Sequence, residues 1–242
     1  MADDSPPTYR SFITAFTDFL AVAIHTILYE RAIYPRTSFL SARKYNYSVL
    51  QSRHPNVCEW INDAIAAVET ELLKGTVDRV AVVIYSKQNK PLERFMFDVS
   101  QFPVVPAGEQ EVPLRRLDER GEVIDVLPMV DLEEQFRATM SRLANCGSTL
   151  KPPPHGNSFT VAIELKDDGE PPIGHPQPWI PAQSNKGKGA ARNGMEDSAP
   201  SAVPVRAVRA GEMMFETWIE QAHDEPRQYP EAQSNMTSFN NG

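Results

Sequence analysis

The 242-residue sequence has few of the residues that build metal sites and disulfide frameworks. Its two cysteines, Cys58 and Cys146, are too few and too far apart for either. We expect both to be reduced, partly buried thiols in an intracellular protein. The histidines are dispersed without the spacing of metal ligands, at His25, His54, His155, His175 and His223. The sequence therefore predicts no metal and no cofactor.

Long apolar runs are missing as well. The most apolar stretch, residues 19–29, is interrupted by His25 and Thr26 and is too short to span a bilayer. The first ten residues, MADDSPPTYR, are polar and acidic and do not resemble a signal peptide. We therefore expect a soluble protein.

The sequence also lacks motifs of catalysis. It contains no G-x-S-x-G and no H-E-x-x-H, and its closest approach to a phosphate loop, residues 186–189, follows no predicted strand. A lone histidine on an apolar helix supports no acid–base pair, so His25 is predicted to be a core residue. These absences favour a binding protein and not an enzyme. An enzyme whose site is assembled from distant residues stays open as an alternative.

Positive charge is scarce overall, and the net charge of −8 argues against a protein whose main role is to hold nucleic-acid phosphates. One segment departs from this average, because five basic residues follow Glu30 before the next acid, Glu59: Arg31, Arg36, Arg43, Lys44 and Arg53. The favoured interpretation is a solvated loop. The alternative is a weak contact with nucleic acid or with an acidic partner.

Periodicity predicts three helices and a hairpin with one further strand. The helices span residues 9–34, stopped by Pro35, then 55–75, closed by Gly75, and then 128–147. The hairpin joins strands 77–85 and 92–99, and strict alternation marks a half-buried strand over 159–165. Residues 35–54 and 103–127 are predicted to be loops.

Proline is abundant: the chain has 21, and 10 of them lie between Pro152 and Pro204. Proline excludes regular helix and central strand, so residues 166–200 are predicted to be irregular, with Trp179 as their large apolar anchor. Strands return at 203–208 and 213–220. There the alternation turns Phe215 inward and Trp218 outward, and an inverted alternation stays open.

Several stretches resemble the HORMA-domain family, and within it the accessory subunits of translesion DNA polymerase zeta. They are FLAVAIHTILYERAIYP, KYN, WINDAI, VDRVAVVIYSKQNKPLERFMFDV, FTVAIEL, PWI, VPVR and FETWIEQAH. The resemblance implies an α+β fold, with three helices packed on an antiparallel sheet and a C-terminal safety belt. It implies a single domain over 9–223 (core 9–165, belt 166–223) between disordered tails at 1–8 and 224–242. The loops at 104–127 and 183–200 look longer than is usual in the family.

The resemblance further implies a non-catalytic adaptor in DNA-damage tolerance and repair, located in the nucleus or also in the cytoplasm. The belt of such a protein closes over a proline-containing peptide of the polymerase's catalytic subunit. The positions that match this peptide site are Tyr34, Trp60 and Trp179. The alternative is a HORMA adaptor of another pathway: spindle checkpoint, meiotic axis or autophagy.

Two further surfaces follow from the same resemblance. One binds a scaffold polymerase, a deoxycytidyl transferase, and its matching positions are Ala202, Val203, Glu216 and Trp218. Ala202 is smaller than the aliphatic residue expected there, and Glu216 is charged where an amide is usual. The other surface pairs two HORMA domains through the third helix, where Arg137 holds the equivalent position.

Overall fold

The structure is a computed structural model that describes residues 6–117, 119–120, 123–125, 129–167, 169, 172, 179, 201–211 and 213–222. The predicted insertion at 183–200 and the tail at 224–242 lie outside the described residues. So do residues 1–5 of the predicted N-terminal tail. Thr8, also placed in that tail, caps the first helix through reciprocal hydrogen bonds with Ser11.

The three predicted helices are present, as α1 (Tyr9–Glu30), α2 (Pro55–Lys74) and α3 (Met129–Leu143). α1 is the central helix, because it is buried on several sides, and two thirds of its most apolar window lies inside the domain. Its predicted end at Tyr34 is wrong. Ala32 adopts a left-handed backbone with φ of 49°, so the helix ends at Glu30, before Pro35 can stop it. α2 ends as predicted at Gly75, which has φ of 74°.

A five-stranded antiparallel sheet lies beneath the helices, which confirms the predicted α+β fold. Its strands are β3 (Val77–Tyr85), β4 (Pro91–Asp98), β7 (Ser158–Leu165), β8 (Ser201–Ala210) and β9 (Met213–Gln221). Their spatial order is β7-β3-β4-β9-β8. In β9, Met213, Phe215 and Ile219 are buried against the main core while Trp218 lies on the opposite face, as the alternation predicts.

The predicted loop over residues 35–54 is wrong, because it contains a hairpin of β1 (Phe39–Lys44) and β2 (Tyr47–Ser52). Its two-residue turn places Tyr45 and Asn46 in the left-handed region, with φ of 52° and 54°. Such turns are usually recognised by Asn-Gly or Asp-Gly. The pair Tyr-Asn gives no such signal, and the hairpin buries Phe39 and Val49 without a clear alternation.

The predicted exposed loop over residues 103–127 is also partly wrong. It contains β5 (Arg115–Leu117) and β6 (Val123–Asp125), which pair with each other. Before them, the buried Gln110 donates hydrogen bonds to the carbonyl oxygens of Leu73 and Val105, at 2.7 and 3.2 Å. The backbone of this segment also bonds to Pro7 and Arg10, so it is anchored to the start of α1 and the end of α2.

The basic segment after Glu30 is not one solvated surface, because Arg31 is 2% exposed and forms a buried ion pair with Glu93, which is 4% exposed. The Arg31 guanidinium donates from Nε and Nη2 to the two Glu93 oxygens, at 2.8 and 2.5 Å. Nη2 also donates to the carbonyl oxygen of Lys151, at 2.5 Å. The Gln221 amide donates to Glu93 at 3.1 Å. This network joins the end of α1 to β4, β9 and the connection that precedes β7.

Candidate functional site

Three aromatic side chains meet at one edge of the sheet. The rings of Tyr34 and Trp60 both contact the ring of Phe159 edge-on, at centroid distances of 6.4 and 4.9 Å. Trp60 keeps 42% of its surface exposed, which is unusual for a large apolar side chain. We call these three residues the aromatic cluster. The structure thus brings together two of the three residues predicted for the peptide site.

The aromatic cluster is assembled by three separate elements. Tyr34 follows the turn at the end of α1, where the left-handed Ala32 redirects the chain. Trp60 lies in the second turn of α2, which begins at Pro55. Phe159 is the second residue of β7. Because two helix ends and a strand fix the three rings, the cluster is a preformed surface.

The strand that carries Phe159 lies at one edge of the sheet that the described strands form. β7 pairs with β3 along its whole length, from Ser158 to Leu165, and in the described part of the chain no strand pairs with its other side. Every second residue of an edge strand directs its backbone N–H and C=O away from the sheet. Such an edge can accept an extended peptide by main-chain hydrogen bonding, while neighbouring side chains grip the peptide's own.

The chain leaves the sheet at one edge and rejoins it at the other. β7 ends at Leu165 on one outer strand position, and β8 begins at Ser201 on the opposite one. Four strand spacings of about 4.8 Å separate the two outer strands by roughly 19 Å. Ser201 is level with Phe159, and Leu165 lies about 20 Å further along the strand direction, so residues 166–200 connect points roughly 28 Å apart. Among these residues, Trp179 is half-buried and packs against the main core, as Tyr34 and Phe159 do. The described ring contacts of Tyr34 and Trp60 are with Phe159.

Phe159 is the site residue that sequence reasoning missed. Its alternation with Val161 and Ile163 marked it as an inward residue of a half-buried strand. That pattern gives no information on whether a strand is central or at an edge. The edge position follows from the pairing of β3 with both β4 and β7, which no local pattern in the sequence reports.

Three core groups have pKa values that are shifted by burial. Burial lowers the pKa of His25 to about 4 and raises the pKa of Tyr9 and Cys146 to about 12. His25 is a core residue, as predicted, and its Nδ1 accepts a hydrogen bond from the backbone N–H of Ser52 at 3.4 Å. The described residues include no group of three acidic, histidine or cysteine side chains able to hold a metal ion.

The four residues predicted to bind a scaffold polymerase do not share one face. Ala202, Glu216 and Trp218 lie on the outer face of the sheet, away from the helices. Val203 pairs with the buried Ile219 and packs against the main core on the inner face. The role of these residues in binding a scaffold polymerase stays a prediction. The three residues on the outer face could contact one partner together, and Val203 could not join them.

Trp218 is half-buried on that outer face and has partners within the chain. It packs against a small apolar cluster that includes Met96, its cross-strand neighbour. Its indole Nε1 donates to Glu220 at 3.0 Å, and the Arg79 guanidinium lies 5.9 Å from its ring centroid. The exposed tryptophan expected from the sequence is therefore a partly packed one.

Arg137, predicted to lie in a dimer interface, is on the solvent side of α3. Its side chain is 43% exposed and pairs with Glu134 at 3.4 Å, one turn earlier in the helix. The neighbouring Phe136 is fully buried in the core. This placement leaves the guanidinium accessible, and dimerisation stays a prediction.

The fold and the open sheet edge define a class of protein, and comparison with known families agrees. The HORMA domain family model matches residues 13–212. The chain therefore belongs to the HORMA-domain family, whose members of this type are non-catalytic adaptors.

Within the family, the chain is similar to polymerase subunits. It is 32% identical to the DNA polymerase zeta processivity subunit of Schizosaccharomyces pombe, over 91% of this chain and 97% of that one. The Arabidopsis thaliana protein of the same description is 28% identical, over 84% of this chain and 82% of its own length. The human mitotic spindle assembly checkpoint protein MAD2B is 31% identical, over 62% of this chain and 64% of its own length.

Solved structures show the same fold at low identity. A chain of the mitotic checkpoint complex matches with a TM-score of 0.63 at 17% identity, over 88% of this chain and 99% of that one. The Caenorhabditis elegans protein HTP-2, bound to the HIM-3 closure motif, matches with a TM-score of 0.58 at 12% identity, over 88% and 91%.

Proposed function

We propose that this protein is the accessory subunit of a zeta-type translesion DNA polymerase and acts by closing its belt over a proline-containing peptide of the catalytic subunit. The observation that carries this proposal is the aromatic cluster beside the free edge of β7. An extended peptide can pair with that edge, and the rings can cover its prolines. The similarity to processivity subunits along most of the chain supports the polymerase as the partner.

The belt completes the site in this proposal. Residues 166–200 start beside β7 and end across the sheet, so they can pass over a peptide held at the edge. Trp179 packs against the core from within this segment, which fits an anchor that holds the belt down. Bridging to the scaffold polymerase belongs to the outer face near Trp218. The protein then works in the nucleus, in DNA-damage tolerance.

A second candidate is a HORMA adaptor of the spindle checkpoint, which the description of the MAD2B relatives favours. Both candidates use the same peptide site and differ in the peptide. Affinity purification of the tagged full chain from its native organism, with and without DNA damage, separates them. Recovery of a polymerase catalytic subunit supports the proposal, and recovery of checkpoint proteins alone supports the second candidate.

Calorimetry with the proline-containing peptide of the catalytic subunit tests the site itself. Truncation of a buried aromatic anchor costs about 2 kcal/mol or more, so Trp60→Ala and Trp179→Ala are each expected to weaken binding about thirtyfold. Trp218→Ala is the matched control, since it removes the same side chain from the outer face. Equal affinity of all three variants and the parent would contradict the proposed site.

A further inference from the structure

The outer face of the sheet, away from the helices, carries a small apolar cluster of its own. Ala81, Val83 and Met96 are buried there, separately from the main core. Three partly buried side chains pack against this cluster: Tyr85, Ala162 and Trp218. The indole ring of Trp218 is therefore one of the groups that remove the cluster from water.

The indole of Trp218 extends from β9 toward β3. Trp218 pairs with Met96 of β4, and Met96 pairs in turn with Ala81 of β3. The guanidinium of Arg79, two residues before Ala81 on β3, lies 5.9 Å from the centroid of the Trp218 ring. β9 and β3 are two strand spacings apart, about 9.6 Å. A ring that comes this close to Arg79 therefore lies over β4, between the two strands.

The guanidinium of Arg79 is fixed from both sides. Its Nε donates to Asp98 on β4 at 3.0 Å, and its Nη1 donates to Glu164 on β7 at 2.9 Å. Both acids are direct cross-strand neighbours of Arg79. Asp98 in turn accepts hydrogen bonds from the backbone N–H and the hydroxyl of Ser100, at 3.1 and 2.6 Å. A planar guanidinium bonded in two directions has a defined position, so Trp218 faces a fixed cation.

Two contacts of different kinds orient the indole. Its Nε1–H donates to Glu220 at 3.0 Å, and Glu220 lies two residues further along the same strand. A cation within about 6 Å of an indole centroid is attracted by the negative face of the ring, and Arg79 meets this condition from β3. The ordering of a flexible side chain is one of the costs of forming an interface. A tryptophan that is already ordered avoids this cost when a partner binds.

We propose that Arg79 is a positioning residue of the outer-face surface and holds the Trp218 indole over β4 in the orientation that the scaffold polymerase binds. The partner contacts the exposed part of the ring, and Arg79 acts through the ring. This inference rests on the proposed function, because it adds a residue to the surface that bridges to the scaffold polymerase.

Two measurements on the full chain test the inference: calorimetry with the scaffold polymerase, and the NMR signal of the Trp218 indole N–H in the free protein. The signal is identified by its loss in Trp218→Phe. Arg79→Gln should shift this signal and weaken binding by roughly three- to tenfold, the cost of ordering one large side chain. Arg79→Lys restores a cation and should recover part of the affinity. Thermal melts confirm that each variant folds.

Arg209→Gln is the charge-matched control. Arg209 is an exposed arginine on β8, with no hydrogen bond or ring contact to Trp218 in the described part of the chain. This variant should keep the indole signal and the affinity of the parent. If it weakens binding as Arg79→Gln does, the effect is one of general charge and the inference is wrong. If Arg79→Gln weakens binding without a shift of the indole signal, Arg79 contacts the partner directly, and the inference is wrong as well.

The outcomes separate this inference from the proposed function. If the parent and Arg79→Gln bind the scaffold polymerase equally, Arg79 has no positioning role and the bridging surface stands. If the parent does not bind the scaffold polymerase, the bridging role fails, and the inference fails with it. Neither result bears on the peptide site at β7.

Discussion

Trp60 and Trp218 are both only partly buried, yet their surroundings differ. Trp218 lies on the outer face of the sheet, packs against Met96 and has its indole N–H bonded to Glu220. Trp60 lies beside a free strand edge, keeps 42% of its surface exposed and contacts another half-buried ring, Phe159. Residues of the chain itself therefore pack against the Trp218 ring and accept the hydrogen bond of its indole N–H. Among the described residues, no group covers the exposed part of Trp60, and this is the expected state of a site that a partner completes.

The buried Arg31–Glu93 ion pair contacts elements that lead to both tryptophan regions. Glu93 belongs to β4, next to the strand of Trp218, and Arg31 also holds the carbonyl of Lys151 in the connection that leads to Phe159. Changes in this network should therefore affect both tryptophan regions, whereas changes at either surface should affect one.

Arg31→Met is expected to have the largest effect, because it leaves Glu93 buried without its cation. Removal of one partner of a buried ion pair costs about 3–5 kcal/mol in the free energy of unfolding. Urea unfolding followed by tryptophan fluorescence measures this loss. The double variant Arg31→Met with Glu93→Met should recover much of it, since no unpaired charge remains. A single variant as stable as the parent would mean that the pair contributes little.

Acidification should destabilise the protein through His25. Its pKa is lowered to about 4 in the folded state against about 6.5 when unfolded, so the unfolded state binds more protons between these values. Stability is then complete above pH 6.5 and falls by about 3 kcal/mol as the pH drops to 4. Urea unfolding at several pH values measures the loss, and His25→Gln should reduce this part of the pH dependence. The same slope in both proteins would exclude His25 as its source.

Trp218→Ala should lower the free energy of unfolding by about 1–2 kcal/mol, because the ring is half-packed against Met96 and Arg79. Trp60→Ala, at a more exposed position, should cost less than about 1 kcal/mol. In binding experiments, each variant should lose a different partner. Trp218→Ala is expected to lose the scaffold polymerase and keep the peptide of the catalytic subunit, and Trp60→Ala is expected to do the opposite. Loss of both partners in either variant would remove the distinction between the two surfaces.

Arg137→Ala should leave stability within about 0.5 kcal/mol, since the side chain is exposed and its pair with Glu134 lies at the surface. We expect the parent to form a concentration-dependent dimer and this variant to remain a monomer. Analytical ultracentrifugation over a range of concentrations measures both. The matched control is Arg142→Ala, on the same helix, which should dimerise as the parent does. Equal masses for parent and Arg137→Ala at all concentrations would exclude this interface.

The elements that the sequence predicted well are those with strong periodicity or clear ends. α2 runs from Pro55 to the residue before Gly75, and β3 has its predicted bounds, because each is an apolar segment between residues that begin or end structure. The β1–β2 hairpin was missed because its turn uses Tyr45 and Asn46. The burial of Arg31 was missed because its partner, Glu93, is 62 residues away in the chain.

The candidate site also combines residues that could be predicted from the sequence with features that could not. Tyr34, Trp60 and Trp179 could be identified through the resemblance, and the structure brings Tyr34 and Trp60 to a common ring. The edge position of Phe159 and its contact with two helix ends depend on the order of the strands and on the packing of the helices. These are long-range properties of the fold, and a local pattern carries no signal for them.

The central claim is that a partner's peptide completes the free edge of β7, and amide hydrogen exchange tests it most directly. Exchange is measured on the full chain alone and with the proline-containing peptide of the catalytic subunit at saturation. Alternate amides of β7, those that do not bond to β3, should exchange at least tenfold more slowly in the complex, while the outer edge of β8 stays unchanged. Unchanged exchange in β7 at saturation, or protection confined to β8, would contradict the account.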